Sequence, residues 1–490
     1  MKPLQLFKAG LAILIIFILL SVTISGVHKI SPNITIKIPS LFAKSEATSA
    51  KYKDISKIIH LADKMTNDSI HKTSNKKHVK SNAVKCDTSK TSRLNADSIR
   101  SVIRPLEYPN GNDTMLFSAF ANIHKIKSNN KLIRILHYGD SQIEGDRITS
   151  YLRNQLQNRF GGCGIGLFPI VPSNPGSISY SYSISDNWSK FTTLVHLPNT
   201  SGKFGALLSF ARINSTNSNT KREAWINLLH ANVNYPTAQH FDQCRMFYGF
   251  NKSPMTIRIT QNDEIIDLQT VPASTGLEVL KWNFPESSKN VLISIKTTET
   301  PDVFGIALDG QNGIAVDNIP LRGSSGLEFS KTDLSFLKEF YKKLNVKLVI
   351  LQFGVNMVPY VTDHFDYYQK SFSKQLQLLK DYLPNLPIIV IGVSDVSQNG
   401  INGYETCPNV ENIRNIQKKA TLDAGYAFWD IYEAMGGKNS MPSWVFANPP
   451  LAQKDFTHFN PQGAKLVGEM FYSALMSEYN RYCVIKDLSN

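Results

Sequence analysis

Three short segments hold the ingredients of acyl transfer: His137-Tyr138-Gly139-Asp140-Ser141-Gln142, Gln352-Phe353-Gly354-Val355-Asn356 and Asp455-Phe456-Thr457-His458. Attack on an ester carbonyl needs a hydroxyl at an exposed turn, a base for its proton, a carboxylate that holds the base's tautomer, and fixed donors for the oxyanion. Ser141 follows an apolar strand and a glycine and precedes a helix, so its N–H can face an oxyanion from the positive end of that helix. Asp455 and His458 are three residues apart, a spacing that one tight turn brings to the same side. The carboxylate then reaches Nδ1 while Nε2 faces the serine. Asp140 competes as the orienting acid, but its adjacency to Ser141 suits it better to stabilising the turn. His137 and Tyr138 end a buried strand and read as packing. Glu144 and Asp146 fall at the helix start, where carboxylates complement the dipole.

The elements that must position these groups alternate strand and helix. Leu132 to Tyr138 is an apolar run ending at Gly139. Ile148, Leu152, Leu156 and Phe160 recur every four residues on one helical stripe, which Gly161-Gly162 stops. Further on, Gly313 to Ile319, Val346 to Phe353, Leu386 to Val393 and Tyr426 to Ile431 predict strands. Leu327 to Leu344 and the stretch through Phe372, Leu376 and Leu379 predict helices. Such alternation implies a parallel sheet covered on both faces, with its site at the carboxyl ends of the strands. Between the halves, Ser177 to Gly305 has short alternating runs such as Met255 to Ile259 and Val291 to Thr297, broken by Asn, Ser, Gly and Pro. That texture predicts an inserted all-β sandwich or jelly roll, possible where its two ends return close together. Trp188, Trp225 and Trp282 within it read as core.

Charge is unevenly spread. Of the formal +14 over 490 residues, +11 belongs to residues 1–100, which hold 17 Lys/Arg against 6 Asp/Glu. A nearly neutral body with no zinc-finger spacing argues against a nucleic-acid groove. From Ala9 to Leu20 every residue is apolar or glycine, preceded by Lys2 and Lys8, which is the pattern of an export signal. No Ala-x-Ala site follows, favouring an uncleaved anchor with the body outside the cytoplasm. Residues 31–100 are rich in Lys, Ser, Thr and Asn and read as a mostly disordered tether, apart from an amphipathic stretch near Ile55 to Met65. Five cysteines without a Cys-x-x-Cys pair indicate no zinc site, and at most a disulfide whose partners the sequence does not reveal.

Together the Gly-Asp-Ser, Gly-x-Asn and Asp-x-x-His segments resemble the blocks of the SGNH (GDSL-like) hydrolases, over about residues 130 to 480 less the insert. The resemblance implies Ser141 as nucleophile, Asp455 and His458 as its activating pair, and an oxyanion hole of the Ser141 N–H, a glycine N–H and the Asn356 amide. Gly323 is the best match for that glycine and Gly326 its rival. Gln142 stands where the eponymous motif has leucine, which changes the wall beside the nucleophile. No Gly-x-Ser-x-Gly surrounds Ser141, against a nucleophile elbow. The β-rich insert and Ala427 to Gly437 resemble the envelope peptidoglycan O-acetylesterases. The expected architecture is therefore α/β, a three-layer SGNH-hydrolase-like sheet with an inserted β domain. Its parts are a signal anchor or signal peptide (1–30), a basic tether (31–100), the first hydrolase part (101–176), the insert (177–305) and the second hydrolase part (306–484). The expected activity is removal of O-acetyl groups from a cell-envelope glycan by a periplasmic or extracytoplasmic enzyme held to the inner membrane by its N-terminus. No metal or organic cofactor is needed, and the partners are an acetylated glycan and the membrane. O-acetyl transfer to a glycan, glycan binding without catalysis, and a lipase activity are the competing readings.

Overall fold

The computed structural model describes residues 26–31, 34–38, 52–60 and 104–489, apart from 173–175, 178, 196–200, 216–220, 230–234, 285–289, 361–364 and 402. The apolar run Ala9 to Leu20 and most of the basic segment lie outside these residues. Two compact units are present, Met1–Lys51 and Tyr52–Asn490. In the first, Gly26–Ser31 and Ile34–Ile38 form an antiparallel hairpin, where the sequence suggested the end of a signal and the start of a tether.

The second unit is built on five parallel strands: β1 (Leu132–Gly139), β2 (Gly313–Pro320), β3 (Val346–Gln352), β4 (Ile388–Ile391) and β5 (Ala427–Trp429), in the order β2-β1-β3-β4-β5. Each strand feeds a helix: α1 (Thr149–Phe160) after β1, α2 (Leu334–Leu344) after β2, α3 (Asp366–Tyr382) after β3, α4 (Val410–Asp423) after β4 and α5 (Pro461–Ser489) after β5. The period of two explains the layers. Ile133, Ile135, Leu348, Ile350, Ile389 and Ile391 join α1 and α5 in one core. Leu136, Tyr138, Val349, Leu351, Ile388 and Val390 join α2, α3 and α4 in the other. Because both faces are buried, the strands read as continuous apolar runs. The β5 edge is closed by a bridge in which Glu107 N–H donates to the Phe428 carbonyl (2.8 Å) and Phe428 N–H to that of Glu107 (2.9 Å).

Two antiparallel sheets, of five and six strands, enclose a third core that includes Ile226, Ile257, Ile293, Met246, Ile306 and Trp282. Pairing of Gly166–Phe168 with Asp302–Asp309 carries this sandwich beyond the Ser177 to Gly305 stretch of altered composition. Its six-stranded sheet also packs on α2, with the Phe247 and Phe340 rings stacked at 5.1 Å. Trp188 and Trp282 are buried, whereas Trp225 is exposed. Where sandwich and parallel sheet meet, Arg134 of β1 is wholly buried and bonded to Asp317 of β2 and to Asp309, which also pairs with Arg245 (2.9 Å). A second buried pair, Arg153–Asp146 at 2.5 Å, ties α1 to the turn before it.

Part of the expected tether is ordered. Ile55 is buried in the α1/α5 core, residues 56–60 are helical, and Tyr52 stacks on Phe446 at 5.0 Å. Ile58 and Ile59 pack beside Ile55 on the same core, so several apolar contacts together dock the segment. Cys163, Cys244, Cys407 and Cys483 are free thiols, and Cys86 lies outside the described residues. Among the described residues, no helix is long and apolar enough to cross a membrane, and no cluster of His, Cys, Asp and Glu could hold a metal ion.

Candidate active site

β1 delivers the chain to Gly139, where a Cβ would lie 2.8 Å from the Gln352 carbonyl of β3; only glycine lets the two strand ends approach this closely. The chain then turns through a 3-10 segment, Ser141–Asp146. As its first residue, Ser141 carries an N–H with no partner inside the turn. The Asp140 carboxylate sits behind it, accepting from Gln142 N–H (3.0 Å) and from Gly354 N–H (3.1 Å). It therefore joins the Ser141 turn to the β3 loop, the stabilising role its position suggested. Burial pushes its carboxyl up to about 6, against the Gln142, Val355 and Gly354 N–H groups that favour the charged form. The folded state thus keeps a proton that the unfolded chain releases near its ordinary value, so this contribution to stability is full below about pH 4 and is lost as pH rises through about 6. Asp140→Asn removes the titration. Calorimetric unfolding of the two proteins should show wild type losing ~3 kcal/mol relative to the variant between about pH 4 and 7.

His458 reaches the serine from a chain position 317 residues away: Ser141 Oγ and His458 Nε2 are 2.7 Å apart. Behind it, His458 Nδ1 lies 2.7 Å from Asp455 Oδ2, while Asp455 Oδ1 accepts from the N–H groups of Thr457 and His458, each at 3.0 Å. Burial would raise the Asp455 carboxyl, but these bonds outweigh it and hold it below the usual carboxylate range. The turn is fastened at both ends. Phe456, at φ +54°, stacks on Tyr404, and Asn460 caps the start of α5 by accepting from Gly463 N–H at 3.0 Å, with Pro461 at the first helical position.

The oxyanion candidates occupy the neighbouring loops. Asn356 follows β3, and its Nδ2 donates to the Ser324 carbonyl at 2.9 Å, which orients the amide and leaves it a second N–H. Gly323 and Gly326 both have positive φ, +83° and +82°. The Gly326 N–H is spent on Ser324 Oγ (2.9 Å), and a Cβ there would touch Phe353. Gly323 is open around its Cβ position, and its N–H meets no protein acceptor among the described residues.

Two residues near the serine do work that the sequence did not reveal. Gln142 does not line a wall: it is buried, and its Nε2 donates to the Thr457 carbonyl (2.7 Å) and Ser394 Oγ (3.1 Å). Arg147 gathers three carbonyls, those of Glu144, Phe459 and Ser141. Both side chains staple the serine turn to the histidine turn, and only Gln142, by departing from the common motif, left a trace in the sequence. His137 is buried between Gln352 (3.1 Å) and Thr149 (2.9 Å), with burial lowering its imidazole to about 4, so it stays neutral. Tyr138 bonds the Ala206 carbonyl and Tyr341. Glu144 and Asp146 cap no helix; Asp146 pairs with Arg153 and Glu144 with Arg322. Ala427 to Gly437 supplies the buried strand β5 and a turn, with Trp429 fully enclosed.

No family model matches the chain, and no curated protein matches it in sequence. Among solved structures, a peptidoglycan O-acetylesterase superposes with a TM-score of 0.60 at 21% identity, covering 77% of this chain and 99% of that one. An acetyl xylan esterase gives a TM-score of 0.26 at 16% identity over 33% of this chain and 81% of that one. A family two carbohydrate esterase from Clostridium thermocellum in complex with cellohexaose gives 0.22 at 7% identity over 51% and 90%. The first superposition covers nearly all of its neighbour. The architecture is thus a three-layer, SGNH-hydrolase-like α/β fold with an inserted antiparallel sandwich.

Proposed function

We propose that the protein is a serine esterase that removes O-acetyl groups from a cell-envelope glycan, with peptidoglycan the first candidate. The observation that carries this reading is the line Ser141 Oγ, His458 Nε2, His458 Nδ1, Asp455 Oδ2, with both hydrogen-bonded separations at 2.7 Å. Ser141 Oγ attacks the acetyl carbonyl as His458 Nε2 takes its proton, and Asp455 stabilises the imidazolium. The N–H groups of Ser141 and Gly323 and the Asn356 amide receive the oxyanion. His458 then protonates the departing sugar oxygen. Water, deprotonated by the same histidine, releases acetate from the acetyl-serine.

The glycan substrate is supported by the superposition on a peptidoglycan O-acetylesterase. Action outside the cytoplasm, with the N-terminus at the membrane, is supported by the apolar run Ala9 to Leu20 behind Lys2 and Lys8. The deciding experiment is acetate release from O-acetylated peptidoglycan by the full-length protein beside its Ser141→Ala variant. Release lost in the variant supports nucleophile and substrate together, whereas release that persists rejects Ser141. Asn356→Ala should lower kcat about a hundredfold with folding intact, the usual cost of one oxyanion donor of about 3 kcal/mol. An unchanged kcat would remove Asn356 from the mechanism.

A further inference from the structure

Four aromatic rings from separate parts of the chain meet at the histidine turn. Phe456, between Asp455 and Thr457, stacks on Tyr404 at a centroid distance of 3.5 Å. Phe446 meets Phe456 edge-on at 5.7 Å, and Tyr52 in turn stacks on Phe446 at 5.0 Å. Tyr404 lies on the hairpin strand Gly403–Thr406, Phe446 ends the short helix Ser440–Val445, and Tyr52 opens the ordered segment 52–60.

Phe456 is where this packing bears on chemistry. At φ +54° it holds a left-handed conformation that a bulky side chain keeps only when its surroundings enforce it. Its ring is buried, and its carbonyl accepts from Ser397 N–H at 3.0 Å. Relaxation of Phe456 to an ordinary conformation would redirect the chain between Asp455 and His458, whose Oδ2 and Nδ1 lie 2.7 Å apart. The rings around Phe456 therefore guard the alignment of the two side chains.

The segment 52–60 closes the outer end of the stack. Phe446 is 53% exposed even with Tyr52 against it, so the Tyr52 ring supplies much of its cover. That ring is held in place by its neighbours. Ile55 is buried in the α1/α5 core, and Lys53 Nζ donates to the Gly436 carbonyl, in the turn that leads to the helix Ser440–Val445. Asp54 Oδ1 accepts from Ser56 N–H at 2.9 Å where the helical residues 56–60 begin. The helix Ser440–Val445 is fastened to both sides of the histidine turn: the Trp444 carbonyl accepts from Leu451 N–H at 2.8 Å, and the Trp444 ring meets Phe459 at 5.2 Å.

We infer that residues 52–60 are a strap for the catalytic turn, with Tyr52 a positioning residue that acts through Phe446 and Phe456 on His458. Part of what the sequence presents as a tether thus belongs to the active site. The inference rests on the esterase reading, which makes His458 the base for Ser141.

Two readouts on the full-length protein test the strap apart from that reading. One is steady-state hydrolysis of 4-nitrophenyl acetate. The other is the 15N shift of His458 Nδ1, read by NMR through the carbon-bound ring protons, which reports the bond to Asp455 without any turnover. Tyr52→Ala should lower kcat about tenfold with KM and unfolding temperature nearly unchanged, since a slightly misplaced reacting group costs rate rather than binding. Ile55→Asp, which ejects the segment by placing a charge in its pocket, should lower kcat as much. Tyr52→Phe keeps the ring and should restore wild-type kcat. In the two impaired variants the Nδ1 shift should move away from its wild-type value. An unmoved Nδ1 shift in Tyr52→Ala overturns the inference, as does a wild-type kcat in that variant or an equal loss in Tyr52→Phe. If the wild type hydrolyses no ester, the esterase reading falls and the Nδ1 shift alone decides the strap: moved in Tyr52→Ala it supports it, unmoved it rejects it.

Discussion

Ser141→Ala is expected to lower kcat on acetyl esters by about 10⁴-fold or more, with the unfolding temperature almost unchanged. The size follows from the geometry. Ser141 Oγ lies 2.7 Å from His458 Nε2, and alanine removes the hydroxyl that the proposed mechanism uses as nucleophile and proton source. The loss should stop short of the uncatalysed rate because the proposed oxyanion donors, the N–H groups of residues 141 and 323 and the Asn356 amide, remain in the variant. His458→Ala should cost a similar factor, and the double variant little more, because the two groups act as one unit. Full additivity of the two losses in steady-state kinetics would mean that they serve separate steps, and would break the proposed triad.

Arg134→Met should be the most damaging substitution for stability, at about 3–5 kcal/mol. Methionine keeps much of the side-chain volume but leaves Asp317 and Asp309 buried side by side, with only Arg245 to face Asp309. Burial already pushes the Asp317 carboxyl up to about 6 even with the guanidinium present. Without Arg134 it should rise further, so protonation relieves part of the damage. The gap in unfolding temperature between wild type and variant should therefore be wide near pH 8 and narrower near pH 5. A gap that does not change with pH would mean that Arg134 contributes packing rather than charge.

Arg134 also shows where sequence reading ends. Within Leu132–Gly139 it is one polar residue in an apolar run, and its partners lie 183 and 175 residues further along the chain. Nothing local indicates that it bolts the sandwich to the sheet. The docked segment around Ile55 is similar: the amphipathic stretch was visible, but its pocket is assembled from distant elements. Gly166–Phe168 was missed as a strand because three residues carry no period, and only pairing with Asp302–Asp309 makes them one.

Much of the molecule was nonetheless legible. Strands buried on both faces leave unbroken apolar runs, and helices covering them leave stripes with a spacing of four, so the α/β order could be read directly. The serine at a strand end and the Asp455–His458 spacing were legible for the same reason: each depends on a few consecutive residues. Tertiary structure alone decided what depends on distant chain segments meeting. It brought His458 to Ser141, spent the Gly326 N–H and left that of Gly323 open, and turned Gln142 from a wall residue into a staple. Local sequence encodes backbone conformation and facing; which side chains share a site depends on long-range packing, whose information is spread over the whole chain.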